Sequence, residues 1–244
     1  MDKKIGHKVF YFKSITSTND FAKGWLEKNK KVDEGIAFVA NTQTKGRGRH
    51  ARIWESPPDV NLYVSLILKP KIESKILPLL TFPISLAVLE TCQSEVENLR
   101  LKWPNDVMLQ SKKVAGILLE AEPCGVVVGM GINVNQKSFS LDISDTATSL
   151  ALVKGRDIDR EKLLATLFEK IEKWYTYFLN KGFESIKELW LEKSRLKGLC
   201  VQLQDGKYVK LLDLNADGSL LFEGENKKKG KIYTGEEICS WPSI

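Results

Sequence analysis

Apolar residues recur along this chain in two rhythms. Short, dense runs such as "KVFYF" (8–12), "GIAFVAN" (35–41) and "VNLYVSLIL" (60–68) predict strands, the last rich in β-branched and aromatic residues. Between the first two, "TSTND" supplies helix-capping residues. Phe21, Ala22, Trp25 and Leu26 follow at helical spacing, so a helix is expected to start near Thr18 or Asn19. Residues 76–97 read as a helix, with Pro78 near its start and Pro83 in a first turn or at a kink. Three strand-like runs come next: "LRLKW", "KKVAGILLE" and "GVVVGMGINV". The turn-forming "PND" separates the first two. "TATSLALV" predicts a short helix. Residues 160–180 predict an amphipathic one, with Leu163, Leu164, Leu167, Phe168, Ile171, Trp174, Tyr175 and Phe178 on one side. A shorter helix is expected over 183–194, carrying Ile186, Leu189 and Trp190.

The rhythm changes after Lys197. "LCVQL", "YVKLLDL", "SLLFEG" and "KKGKIYTG" predict short strands, with turns at Asp205-Gly206 and Asp217-Gly218. The expected organisation is an α+β domain over 1–197, with a mixed, largely antiparallel sheet and flanking helices. A small β-barrel over 198–244 follows it.

Composition narrows the function classes. The 244 residues are 43% apolar and 28% charged, which is ordinary for a globular protein. The net charge of +6 favours anionic ligands or acidic partner surfaces, without pointing to nucleic acid. Cys92, Cys124, Cys200 and Cys239 are scattered, and only His7 and His50 could join them, so a Cys/His metal site is not expected. Free thiols, no apolar run after the polar start, and an apolar stretch at 76–89 too short for a bilayer give the expectation of a cytoplasmic protein without a membrane partner.

Two segments stand out chemically. "TKGRGRHARIW" (44–54) sets Lys45, Arg47, Arg49, Arg52 and His50 around two glycines, ahead of Trp54. It formally matches the G-x-G-x-x-A dinucleotide fingerprint. Pro57 and Pro58 forbid the long helix that motif needs, and Leu66, Ile67 and Leu68 stand where its acidic residue belongs. Taken alone, the segment is either a solvated basic hairpin or an anion-binding loop in which glycine lets backbone amides approach while guanidinium groups fork onto the ligand. Such a loop would order around its anion. "LKWPNDVML" (101–109), followed by "KKVAGILLE", is a strand–turn–strand unit. Asn105 and Asp106 serve turn geometry there, or Lys113 beside Ala115 and Gly116 faces a ligand.

Together these segments resemble the biotin protein ligases. "STND" (17–20), Gln43, "GRGRHARIW" (46–54), "KWPND" (102–106), "KVAGILLE" (113–120) and "GMGINV" (129–134) occur in that family's order, and "GEEI" (235–238) resembles its C-terminal β-domain. The resemblance implies a class II synthetase-like, lipoate ligase-like catalytic domain with an SH3-like appendage. It implies ATP-dependent activation of biotin to biotinyl-5′-AMP with Mg2+, then transfer to a lysine of a biotin carboxyl carrier protein, such as that of acetyl-CoA carboxylase. By the same resemblance Arg49 and Lys113 are the catalytic cations. Ser17, Thr18, Asn19, Gln43, Arg47, Gly48, Arg49, Lys113 and Gly116 form the biotin site. Arg47, Arg49, Trp54, Asn105, Asp106, Lys113 and Asn133 form the nucleotide site. Family analogy further suggests a homodimer. Relatives commonly read GRGRRGR where this chain has His50 and Ala51, so a stiffer loop and faster escape of the adenylate are expected. About 16 residues precede the serine-threonine-asparagine segment, too few for the DNA-binding domain some relatives carry, so no nucleic-acid partner is expected. The rival readings are a lipoate or octanoate ligase or transferase of the same fold, and a binding module that makes no pyrophosphate.

Overall fold

The computed structural model describes residues 4–29 and 32–242, with Ala51 described by its backbone alone. The chain runs β1 (Val9–Phe12), α1 (Thr18–Lys28), β2 (Ala37–Ala40), β3 (Leu62–Leu68), α2 (Thr81–Gln93), β4 (Leu99–Lys102), β5 (Asp106–Leu109), β6 (Lys112–Glu122), β7 (Gly125–Ile132) and α3 (Leu150–Lys154). Then follow α4 (Arg160–Lys181), α5 (Glu184–Ser194), β8 (Cys200–Leu203), β9 (Tyr208–Leu214), β10 (Leu220–Glu223), β11 (Lys229–Ile232) and β12 (Ile238–Ser240).

Seven strands form one sheet in the order β1-β2-β3-β7-β6-β5-β4. Only β1 and β2 run parallel; every other pair is antiparallel, as the dense strand runs and short connections predict. All seven residues of β3 are buried, so both faces of the sheet are covered there. Alternation divides them. Val64, Leu66 and Leu68 join the large core with Val126 and Val128 of β7 and the apolar residues of α2 and α4. Ile67 and Val127 face the other way, into a smaller cluster with Phe38 of β2 and with Ala22 and Leu26 of α1. The eight apolar positions read on α4 are all buried. The helix expected at 76–97 begins as a 3-10 segment, Ser74–Leu80, before α2 proper. Together Ser74–Gln93 is long and apolar enough to cross a membrane by length and composition, contrary to the shorter count from sequence. Most of it is buried inside the protein, where it builds the core.

Two elements differ from expectation. The segment after "KWPND" holds two hairpins. β4 and β5 meet around Pro104-Asn105, and β5 turns into β6 at Gln110-Ser111, both with positive φ. Gln-Ser lacks the Asn-Gly signature of such turns, so the short "VML" strand between them was merged with its neighbours. The C-terminal strands form an open antiparallel sheet, β11-β10-β9-β8-β12, instead of a closed barrel. β12 itself, only three residues long, gave no pattern to read.

The second sheet is cemented to the first. Val201, Leu211, Leu214 and Leu220 belong to the same apolar cluster as α2 and α4. Trp103, 3% exposed, donates its indole N–H to the Gly218 carbonyl at 3.0 Å. Gly218 has φ +79, and a Cβ there would meet Leu79 at 2.8 Å, so the turn is specific to glycine. Trp103→Phe is expected to leave that carbonyl buried without its donor. The cost is about 1–3 kcal/mol, or roughly 3–10 °C in Tm by thermal melting. An unchanged Tm would show that this bond does not help hold the sheets together.

Candidate functional site: a glycine floor between two polar clusters

On the face of the sheet that carries α1, three glycines remove the side chains that would otherwise cover it. Strand pairing puts Gly129 between Ser65 and Leu118, and Gly131 between Tyr63 and Gly116. A Cβ on Gly129 would lie 2.2 Å from Asn19 Oδ1, and one on Gly131 2.4 Å from the Trp54 indole. One on Gly116 would come within 3.0 Å of the Lys113 side chain. The glycines let these polar and aromatic groups lie flat on the strands. Above them is a cavity of about 590 Å3, and all thirteen site residues picked from the sequence line it.

One end is built by the start of α1. Ser17 caps the helix by accepting from Asp20 N at 3.4 Å, so Thr18 is free of that duty. Thr18 N–H donates to Gln43 Oε1 at 2.8 Å, and Gln43 Nε2 donates to Ser56 Oγ at 3.1 Å. Ser65 Oγ lies 2.7 Å from Thr18 Oγ1 and 2.6 Å from Asn19 Oδ1. This end offers neutral donors and acceptors in fixed positions.

The other end is ionic. Lys113 Nζ lies 2.7 Å from Asp106 Oδ1 and 5.2 Å from the Trp54 ring centroid. Arg49 donates to Asn105 Oδ1 at 3.4 Å, while Asn105 Nδ2 donates to the Ile117 carbonyl at 2.7 Å, tying the turn to β6. Lys102 adds a cation with no ion-pair partner among the described residues. Burial pushes its ammonium below the ordinary lysine range, opposed by nearby Asp106 and reinforced by Arg100, Lys113 and Arg52. The Trp54 indole N–H is buried without a hydrogen-bond partner among the described residues, a donor still open to a ligand.

The basic loop closes on itself. Trp54 N–H donates to the Gly46 carbonyl at 2.9 Å and Gly48 N–H to the Arg52 carbonyl at 2.8 Å. Expected to take shape around a bound anion, it is folded here around a carboxylate of the chain. Glu236 lies 3.1 Å from His50 Nε2, 3.7 Å from Arg49 and 3.8 Å from Arg52. Burial disfavours the Glu236 carboxylate, but its own backbone N–H and the neighbouring Arg49, His50 and Arg52 outweigh that and hold its pKa below the ordinary value. The left-handed residue of the loop is His50, φ +52, and not Ala51. The stiffening expected of Ala51 through resistance to positive φ is therefore misplaced, and the residue standing where relatives have arginine instead pairs with Glu236.

Two picked residues are engaged differently from expectation. Arg47 does not offer a free guanidinium. It pairs with Asp20 and, through both terminal nitrogens at 3.1 Å, with Glu120. Asn133, 5% exposed, has its side-chain nitrogen committed to the Thr148 carbonyl at 3.0 Å. The sequence reading also missed Lys102, Ser65, Glu120 and Glu236. Lys102 stood in a motif already quoted. Glu236 stood in the quoted "GEEI", but it comes from a turn almost two hundred residues beyond the loop it faces, and local spacing does not link the two.

Known proteins resemble this chain. Residues 11–136 match the model of the biotin/lipoate A/B protein ligase family. The bifunctional ligase/repressor BirA of Bacillus subtilis is 34% identical over 244 residues, covering 95% of this chain and 74% of that protein. The chain belongs to the biotin/lipoate A/B protein ligase family. Another relative, the biotin–[acetyl-CoA-carboxylase] ligase of Paracoccus denitrificans, is 30% identical over 213 residues, covering 82% of this chain and 85% of its own. The structure of biotin protein ligase from Aquifex aeolicus in complex with biotin and ATP superimposes with a TM-score of 0.81 at 34% identity, over 95% of this chain and 97% of that one. The segment matched to the family holds every picked site residue. Glu236 lies beyond it, so the carboxylate that faces the basic loop comes from the C-terminal part of the chain.

Glu236→Gln is expected to loosen the basic loop. Trypsin cleavage after Arg49 and Arg52 at neutral pH should quicken by about fivefold, the equivalent of about 1 kcal/mol over partly solvated contacts with two arginines and His50. The Glu236 pKa is lowered in the fold, so protection is full above the ordinary carboxyl range and lost as pH falls through the lowered value. Cleavage at the wild-type rate would mean that Glu236 does not hold the loop.

Proposed function

We propose that this chain is a biotin protein ligase that works in two steps within the one cavity. A carboxylate oxygen of biotin attacks the α-phosphorus of ATP, the bond from that phosphorus to the bridging oxygen breaks, and pyrophosphate leaves. The amine of a target lysine then attacks the carbonyl carbon of biotinyl-5′-AMP, loses a proton, and AMP departs with the former carboxylate oxygen. The observation that carries this reading is the polarity of the cavity: neutral hydrogen-bonding groups at one end, fixed cations at the other, and a bare glycine floor between them.

Each end suits its share of the chemistry. Thr18, Asn19 and Gln43 offer the mixed donors and acceptors that a ureido ring requires. The dithiolane of lipoate has no such groups, so the lipoate alternative leaves this cluster without a partner. Arg49 and Lys113 lie where a carboxylate and a triphosphate must meet. Two anions approach only if fixed positive charge offsets their repulsion and stabilises the charge that develops at phosphorus. Asp106 holds Lys113 in place until phosphate oxygens compete for it. The Trp54 indole, pressed on Gly131, gives a flat apolar wall for the adenine. No side chain serves as covalent nucleophile. The Aquifex protein bound to biotin and ATP and the ligase names of the relatives support this reading.

Magnesium belongs to the same proposal as companion of the nucleotide. Among the described residues no group of three or more His, Cys, Asp or Glu side chains could hold a metal. Asp106 and Glu236 are the carboxylates beside Lys113 and Arg49, which suits an ion carried largely by phosphate oxygens and water. The acceptor we propose is a biotin carboxyl carrier domain, such as that of acetyl-CoA carboxylase. The net charge of +6 would steer an acidic carrier. We place the reaction in the cytoplasm, in keeping with four unpaired cysteines.

Exchange of labelled pyrophosphate into ATP tests the first step. It should require biotin, fail with lipoate, and fall roughly 100-fold or more in Lys113→Ala. Exchange supported by lipoate instead would make the chain a lipoate ligase. No exchange with either acid would leave a binding module.

A further inference from the structure

Glu120 and Ser65 do not line the cavity, yet they determine what it presents. Glu120 lies on β6 with its side chain 17% exposed. Its carboxylate takes Asn19 Nδ2 at 2.8 Å, Lys23 at 3.2 Å and both terminal nitrogens of Arg47 at 3.1 Å. Burial opposes its ionisation, but the Asn19 amide and the Arg47 and Lys23 cations outweigh that and hold the carboxyl below its usual range.

A carboxylate only accepts hydrogen bonds, so Asn19 must turn Nδ2 towards it and Oδ1 away. Oδ1 then faces Ser65 Oγ at 2.6 Å. A hydroxyl has one proton, and an amide oxygen cannot give one, so the Ser65 proton goes to Asn19. The 2.7 Å contact between Ser65 and Thr18 is then a bond in which Thr18 donates. Gln43 Oε1, 3.1 Å from the Thr18 hydroxyl, also accepts from Thr18 N–H at 2.8 Å; giving it the hydroxyl proton alone would leave the Thr18 and Ser65 oxygens 2.7 Å apart with no proton between them. The chain runs in one direction: Thr18 to Ser65, Ser65 to Asn19, Asn19 to Glu120. Thr18 Oγ1 is left with lone pairs alone to offer the cavity.

We propose that Glu120 and Ser65 are positioning residues that set the direction of this hydrogen-bond chain, so that Thr18 acts as an acceptor and selects an acid bearing an N–H group at that point. The proposal rests on the reading of the cavity as a biotin site, whose ureido ring carries such groups. It assigns a specificity role to two residues that never touch the substrate. Glutamine at position 120 can present a donor or an acceptor. Asn19 is then free to flip and the chain to reverse, which releases the Thr18 proton from Ser65 to turn to Gln43 Oε1 or against the ligand's N–H. Ser65→Ala breaks the chain in the middle and leaves the Arg47–Glu120 pair intact.

The test compares Glu120→Gln and Ser65→Ala with wild type in full-length protein, by steady-state pyrophosphate exchange and by calorimetric titration of biotin. Both variants should raise the biotin KM and Kd by roughly tenfold or more; in Ser65→Ala, which leaves the Arg47–Glu120 pair in place, the ATP KM should stay within about twofold and kcat at saturating biotin should change little. Thermal melts should still show a full ATP-induced stabilisation. Equal rises in both KM values, or a biotin KM within about twofold of wild type in Ser65→Ala, would overturn the proposal, since a broken chain must discriminate between the two substrates. Wild-type protein without biotin-dependent exchange would overturn the ligase reading itself, and this inference with it.

Discussion

Positive charge held at a fixed place is the constraint on which this structure turns. Lys113, Arg49 and Lys102 stand at one end of a single cavity, and like charges in a partly desolvated space repel. The fold answers with carboxylates drawn from separate parts of the chain. Asp106 comes from the start of β5 and Glu236 from the turn before β12. These partners are close enough to order the cations and exposed enough to give way. Contacts of 3.7 and 3.8 Å between Glu236 and the two arginines are long for an ion pair, and phosphate oxygens with full charge and better geometry can replace them. A site that must gather two anions is thereby prevented from repelling itself apart before they arrive.

The sheet makes this arrangement possible. Its inner face is a continuous apolar layer against α2 and α4, which fixes the strands. Its outer face carries polar side chains at one end and almost none where Gly116, Gly129 and Gly131 pair across β6 and β7. Rigidity comes from the packed side and chemistry from the bare one. The C-terminal sheet belongs to the same design. It shares the core through Leu211, Leu214 and Leu220, and it delivers Glu236 to the basic loop. Arg47, at the opposite edge of that loop, is pinned by Glu120 and Asp20. The loop is thus held at both ends by carboxylates of different character, a bidentate pair at one and a looser gathering at the other.

How much of this could be read from residues depends on distance along the chain. Strand β3 declares itself as an unbroken apolar run of seven buried residues, and α4 because its burial is periodic over 22. The cavity residues were legible because their motifs are compact: the loop, the "KWPND" turn and the glycine strand each hold their own geometry. What escaped had no local signature. The Gln110-Ser111 turn uses residues that turn propensities do not favour, and β12 is too short to show alternation. The partners of Arg47 and Asn133 depend on tertiary contacts, with Glu120 lying 73 residues from Arg47. A motif names the residues that meet a ligand. It does not name the ones that hold them, because those are chosen by folding and not by spacing.

The central claim is that two anions are joined in this cavity. Mass spectrometry of the protein after incubation with biotin, ATP and magnesium, followed by rapid desalting, tests it most directly. The account predicts biotinyl-5′-AMP recovered with the protein, and its loss, with appearance of AMP, when a carrier domain is added. Recovery of unchanged biotin and ATP, with no adenylate bound, would contradict it.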